Sequence, residues 1–191
     1  MAERAHPEGK GFMEGSVYRD NFFKRYNYAA EYTKGKDILD IPCGVGWGTS
    51  ILPAKSKIGI DISPESIRYA LTHYTDAVFL TGRMEDIHLS SNSIDVVVCL
   101  EGFEHVSKDV GLSFLMETAR ILREDGLLVL SCPVVPPGGK HSGNPHHVYE
   151  PTIAEIFEIL YSEFSLIKAE IFPSIDNPIL HFVGKPICDK K

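Results

Sequence analysis

The stretch Asp40-Ile41-Pro42-Cys43-Gly44-Val45-Gly46-Trp47-Gly48 joins a short apolar run, Asp37 to Pro42 (DILDIP), to a helical stretch that continues through Leu52. A strand, glycine loop and helix in that order belong at the carboxyl edge of a parallel sheet, where ligands bind. Glycines let the chain turn sharply and let a ligand touch the backbone. The next apolar run, Lys57 to Asp61 (KIGID), ends in an acid. A carboxylate there can accept hydrogen bonds from two ribose hydroxyls. Turn glycines and a capping aspartate are the plain alternative. The acid at the second strand end and the pattern around it favour a nucleotide site.

Outward from this loop, strands and helices alternate. Upstream, Tyr18 to Tyr32 carries Phe22, Tyr26, Ala29 and Ala30 at helical spacing and stops at Gly35. Residues 1–17 are polar, rich in glycine and charge, and read as a flexible tail. Downstream, Ser63-Pro64-Glu65 opens a helix that runs to about Tyr74, with Ser as cap and Pro in the first turn. Ala77–Leu80 and Ile94–Leu100 are strands, Asp109–Leu122 is an amphipathic helix, and Glu124-Asp125-Gly126 turns the chain into a strand, LLVLSCP. A loop rich in Pro, Gly and His spans 133–149, and a helix covers Thr152–Leu160. Two last strands, SLIKAEIF and ILHFVGK, flank a turn with Pro173, Asp176, Asn177 and Pro178, which predicts an antiparallel hairpin at one edge. The whole is an α/β fold, a mostly parallel, doubly wound sheet in one domain, 18–191.

Composition agrees. A chain of 191 residues suits one domain, and 43% hydrophobic with 24% charged residues is a globular balance. Such a domain buries roughly 70% of its unfolded surface and needs no metal or disulfide staple. Cys43, Cys99, Cys132 and Cys188 lie far apart without a CxxC, so a reducing cytoplasm is the expected setting. The net charge of −7 argues against a grip on duplex nucleic acid. No run approaches the ~18 apolar residues that cross a bilayer, and the polar N-terminus lacks the apolar core of a signal peptide, so no membrane insertion is expected. The oligomeric state is not legible.

A dinucleotide loop wants GxGxxG. Here the glycines run GxGxG, and Thr49 stands in the third slot. Asp40, four residues before Gly44, would repel a pyrophosphate and pair with an α-amino group. These features favour a ligand with an amino-acid cation over NAD, leaving a nicotinamide-dependent oxidoreductase and a non-catalytic binding module as the rivals.

On these residues the chain resembles the class I S-adenosylmethionine-dependent methyltransferases. ILDIPCGVGWGTSIL is similar to their first motif, GIDIS to their second-strand acid, IDVVVCLEGFEHV to their fourth-strand motif and LREDGLLVLSCP to their fifth, over roughly residues 20–170. The resemblance implies a Rossmann-like, seven-stranded methyltransferase fold and S-adenosyl-L-methionine as cofactor. It implies that Asp40, Cys43, Gly44 and Gly46 line the methionine end and that Asp61, with Ile62 beside it, holds the ribose. Met84 and Glu85 would reach the adenine, and Leu100 and Glu101 would lie beneath the sulfur. Arg25, in an RYxxA pattern some relatives share, would pair with the methionine carboxylate, the alternative being a solvated helix face. The chain departs at Arg83, where many relatives carry an aspartate for the adenine amino group; Glu85 or backbone would take that contact.

For methyl transfer to a hydroxyl, a base or a metal must assist proton loss. Glu101-Gly102-Phe103-Glu104-His105 reads ExxEH directly after the fourth strand; turned helically, it puts Glu101, Glu104 and His105 on one face. Ubiquinone-pathway O-methyltransferases and the small-RNA 3′-end enzymes use ExxEH to hold a divalent ion, Mg2+ or another; in metal-free relatives it organises the loop. Asn144-Pro145-His146-His147-Val148-Tyr149-Glu150 resembles the NPxHVxE(F/Y)T segment of methyltransferases met in bacterial polysaccharide and sugar modification. His147 is thereby a candidate base, a fourth metal ligand beside Glu101, Glu104 and His105, or a contact at the helix start; His146 ranks second. The expected activity is O-methylation of a small molecule or of a sugar hydroxyl on a glycan.

Overall fold

The computed structural model describes residues 16–174 and 177–187; the tail up to residue 15, Asp176 of the last turn and Cys188 lie outside them. Helix α1 (Val17–Thr33) is capped by Ser16, whose hydroxyl accepts from Arg19 N at 3.2 Å. There follow β1 (Asp37–Asp40), α2 (Trp47–Ile51), β2 (Ser56–Asp61), α3 (Pro64–His73), β3 (Val78–Thr81) and β4 (Ile94–Leu100). A 3-10 turn at Phe103–His105 leads to α4 (Lys108–Ile121), β5 (Leu122–Pro133), α5 (Ile153–Leu160), β6 (Phe164–Phe172) and β7 (Ile179–Pro186). Ser63 caps α3, and Thr152 with Glu155 forms a reciprocal capping box on α5.

The seven strands form one sheet in the order β3-β2-β1-β4-β5-β7-β6, with β7 antiparallel to both neighbours. Strand order reverses between β1 and β4, which opens a crevice at their carboxyl ends. The central strands are apolar throughout because both faces are covered. Val96, Val98 and Val129 pack towards α1 with Phe22, Tyr26 and Ala29, whereas Val97, Cys99, Leu128 and Leu130 pack with Phe114 of α4 and Ile156 of α5. No helix among the described residues is long and apolar enough to cross a membrane.

One boundary departs from expectation. β5 begins at Leu122 and not after the Glu124-Asp125-Gly126 turn, because Leu122 already pairs with Ile94, and Arg123–Gly126 form an excursion before Leu127 pairs with Val96. Arg123 anchors that excursion through Asp95, at 2.7 Å, and Asp37, at 3.5 Å.

Candidate functional site

A cavity of about 670 Å3 opens at the switch point. Its walls are α1 (Val17, Tyr18, Asn21, Phe22, Arg25), the glycine loop, Asp61 and Ile62 at the end of β2, Leu100 and Glu101 at the end of β4, and the segments around His105, Ser142–His147 and Asn177.

The glycine loop is shaped by contacts that only glycine permits. Gly44 and Gly46 have φ of 55° and 82°, the left-handed region. A Cβ on Gly46 would meet Ala70 and Phe79 at 2.7 Å, and one on Gly48 would meet the Tyr26 ring at 1.8 Å, so these two positions seat the loop against α3, β3 and α1. A Cβ on Gly44 would meet nothing within 4 Å: there the backbone faces the open cleft. Gly44 N donates to Asp61 Oδ2 at 2.9 Å and Ser63 N to Oδ1 at 2.8 Å, so loop and cap fix the Asp61 carboxylate in the wall.

Asp40 takes a different position from the one expected. It is fully buried under the loop, accepting from Thr49 Oγ1 at 2.6 Å and Tyr26 Oη at 3.3 Å through Oδ2, while Oδ1 has no hydrogen-bond partner. Burial pushes its carboxyl up to about 7, against the opposing pull of the Thr49 and Tyr26 hydrogen bonds. Burial and the nearby Asp40 and Asp61 carboxylates drive the Cys43 thiol far up, which makes this wall residue unreactive. Met84 is buried in the core and Glu85 pairs with Arg83; neither is in the cavity wall. Arg25 is in the wall, with Nη1 3.8 Å from Glu101 Oε2, and Glu101 Oε1 accepts from Ser131 Oγ at 2.8 Å.

The other end of the cavity holds the ExxEH and NPHHVYE residues. Glu104, His105 and His147 offer ligand atoms all within 4.8 Å of one another. Glu101 does not join them: its φ of 52° places a left-handed kink before the 3-10 turn and sends its side chain to Arg25 and Ser131. His105 Nδ1 donates to His146 O at 3.0 Å, and His147 Nδ1 donates to Glu150 Oε1 at 2.5 Å. In the neutral form each imidazole then carries its lone pair on Nε2, and that of His147 can accept from Asn144 Nδ2 at 3.1 Å. The two rings stand 5.3 Å apart and nearly perpendicular.

Glu150 is 5% exposed and gathers donors from three places: Ser142 N at 2.7 Å and Ser142 Oγ, His147, and Asn177 Nδ2 at 3.3 Å. Burial raises its pKa, but the hydrogen bonds from Ser142 and His147 outweigh it and hold the carboxyl below its ordinary value. Backbone bonds from Val148 N and Tyr149 N to Glu104 O, at 2.8 and 3.1 Å, dock this loop on the 3-10 turn. Sequence reasoning missed Asn21, Ser142 and Asn177, and it missed the aromatic clamp in which Trp47 stacks on Phe22 at 5.1 Å and meets Phe23 edge-on at 5.3 Å. The aromatic pair inside α1 and the tryptophan in the glycine loop were the available signal for the clamp.

Residues 39–130 match a family profile described as "Methyltransferase domain". A Mycolicibacterium smegmatis protein named "Probable S-adenosylmethionine-dependent methyltransferase" is 28% identical over 161 residues, 80% of this chain and 62% of its own length. The mitochondrial ubiquinone biosynthesis O-methyltransferase of Schizosaccharomyces pombe is 36% identical over 105 residues, 51% of this chain and 38% of that one. The chain is thus similar, over its glycine loop and central strands, to S-adenosylmethionine-dependent methyltransferases. It spans under two thirds of the length of both relatives. In fold it is similar to the [4+2]-cyclase SpnF, with a TM-score of 0.76 at 15% identity over 94% of this chain and 85% of that one. It is also similar to a TehB-like methyltransferase of Corynebacterium glutamicum, with a TM-score of 0.67 at 19% identity over 85% and 87% of the two chains. A cyclase among the fold's neighbours shows that fold alone does not fix the reaction.

The cleft fits S-adenosylmethionine, the cofactor that the resemblance implies. The open backbone at Gly44 gives close approach, the Asp61 carboxylate stands in the wall, and the cavity is large enough for a nucleoside joined to an amino acid.

Proposed function

We propose that the chain moves the methyl group of S-adenosylmethionine to a hydroxyl of a small molecule or of a sugar on a glycan, with His147 as the base. The observation that carries this reading is the buried Glu150 carboxylate on His147 Nδ1, which fixes the tautomer and leaves Nε2 as a proton acceptor at the acceptor end of the cavity. When bound, the cofactor supplies an electrophilic methyl carbon. The protein's part is to align the acceptor oxygen with that carbon, exclude water and receive the hydroxyl proton. Asp61 and the Gly44 backbone would hold the nucleoside, Leu100 and Glu101 would floor the transfer point, and the imidazolium formed at His147 would be stabilised by Glu150. Asn144, now donating to His147 Nε2, would give way to the acceptor hydroxyl.

A second reading is favoured by the cluster itself. Glu104, His105 and His147 make a carboxylate and two-imidazole donor set, and each imidazole donates its Nδ1 proton to a fixed acceptor, as metal-binding histidines do. A divalent ion held there would lower the acceptor hydroxyl's pKa. Labelled methyl transfer to a panel of hydroxyl acceptors, run with wild type and His147→Ala and with and without EDTA, tests both. The base reading expects loss of turnover in the variant and no effect of chelator. The metal reading expects chelator-sensitive turnover and calorimetric Mg2+ or Mn2+ binding that the Glu104→Gln variant lacks. Full turnover in His147→Ala would remove both.

A further inference from the structure

The sheet has two edges, and they differ. β3 is four residues long, whereas β6 is nine and has only β7 beside it among the described residues. An edge strand of that length presents unpaired N–H and C=O groups, and proteins commonly blunt such edges. β6 does so by a register shift near its start, where Ile167 is the extra residue between the pairings of Leu166 and Lys168 with β7, and by the charges of Lys168 and Glu170. From there to its end the strand carries exposed Ile167 and Ile171, about half accessible, around Lys168, Ala169 and Glu170.

The order Ile167-Lys168-Ala169-Glu170-Ile171 is self-complementary. Laid antiparallel against a second copy about a twofold axis at Ala169, Ile167 faces Ile171, Lys168 faces Glu170 and Ala169 faces its own copy. Lys168 and Glu170 share one face of the strand, since they pair with Val183 and His181 of β7, so the two cross-copy ion pairs fall on the same side of the joined sheet. No other twofold within this run sets opposite charges face to face. A twofold at Lys168 or at Glu170 opposes like charges directly, and in-register parallel pairing does so at both positions, which is destabilising. Isologous contact requires this kind of self-complementarity, and the twofold at Ala169 is the one register within 167–171 that matches Lys168 to Glu170.

We propose that the free edge of β6 is a homodimer interface, in which two chains join antiparallel through residues 167–171 into one continuous fourteen-stranded sheet. The occupant is a second copy of this chain, chosen by the match of Lys168 to Glu170 and of Ile167 to Ile171. The Lys168–Glu170 ion pair within one chain, 2.7 Å, holds both side chains on that face before association. Neither residue touches the cofactor cavity, so the interface is separable from methyl transfer.

The test is the oligomeric state of the full chain by sedimentation equilibrium across the micromolar range, with Lys168→Glu, Glu170→Lys and a mixture of the two variants. Wild type should dimerise. Each single reversal opposes like charges at both symmetry-related pairs and should weaken the dimer by roughly tenfold or more. The mixture should recover a heterodimer near wild-type affinity, because the acidic strand of one variant then faces the basic strand of the other. That recovery is independent of the intrachain ion pair, which both variants lack. Ile171→Lys, with an unchanged thermal melt to show that it folds, should be monomeric. A monomeric wild type, a dimer indifferent to all these changes, or a mixture no tighter than its components would overturn the proposal; a wild-type complex with a different protein in place of a self-complex would do so as well.

Discussion

Asp40→Asn should make the protein more stable than wild type at neutral pH and above, and less stable in acid. Asp40 is fully buried, and its carboxyl is pushed from 3.8 to about 7. A carboxyl whose folded pKa lies above its unfolded one binds its proton more tightly in the native state. Its contribution to stability is thus fully present below pH ~4 and is lost as pH rises through about 7. The difference between the folded value of about 7 and 3.8 corresponds to about 4 kcal/mol at 1.36 kcal/mol per pKa step, so wild type forfeits up to that much on moving from acid to neutral pH. The amide cannot ionise and keeps an oxygen for the Thr49 and Tyr26 hydroxyls, but it buries an NH2 where Oδ1 has no partner, at a cost of about 1–3 kcal/mol. The net expectation is a variant about 1–3 kcal/mol more stable than wild type near pH 8 and less stable by about 1–3 kcal/mol near pH 4. Urea denaturation of both proteins at half-unit steps from about pH 4 to about pH 8 measures the difference directly, since titrations elsewhere cancel in the subtraction. Parallel stability curves would refute the reasoning, as they would mean that Asp40 is ionised throughout or that the amide relaxes into another arrangement.

Gly48→Ala should destabilise the fold by about 2–4 kcal/mol in the same assay, because the added methyl collides with the Tyr26 ring and displaces a hydroxyl that donates to Asp40; most of the loss should return in a Gly48→Ala, Tyr26→Ala double variant measured against Tyr26→Ala alone. Glu150→Gln should lower methyl transfer by about 10- to 100-fold while calorimetric S-adenosylmethionine affinity stays within about twofold, since Glu150 acts on His147 and the 133–149 loop and not on the nucleoside wall. The stability that Glu150 lends should fade as pH falls through its depressed folded pKa, a sign opposite to that at Asp40.

The fold was legible because its central strands advertise themselves. Ile94–Leu100 is apolar on both faces and has no other place than the middle of a sheet, and the glycine loop with Asp61 marks the switch point. The β5 boundary was not legible, because Glu124-Asp125-Gly126 is good turn chemistry and only the pairing of Leu122 with Ile94 shows that the strand has already begun. At the site, His147 and Glu150 lie three residues apart in the loop before α5, so their pairing is local. The bond from Asn177 to Glu150 spans 27 residues and depends on how the β6–β7 turn lies over the loop, which no spacing encodes. Asp40 shows the reverse error. Charge reasoning placed it in contact with a ligand, whereas the Tyr26 and Thr49 hydroxyls claim it beneath the loop, a consequence of how α1 packs against Gly48. Glu101 was grouped with Glu104 and His105 by helical spacing, and a single left-handed residue separated them.

Calorimetric titration of the full chain with S-adenosylmethionine and with NAD, repeated on Asp61→Ala, tests the cofactor cleft most directly. The account expects one S-adenosylmethionine site per chain, weakened by about tenfold or more in the variant, and no heat from NAD. Tight NAD binding, or S-adenosylmethionine binding indifferent to Asp61, would contradict it.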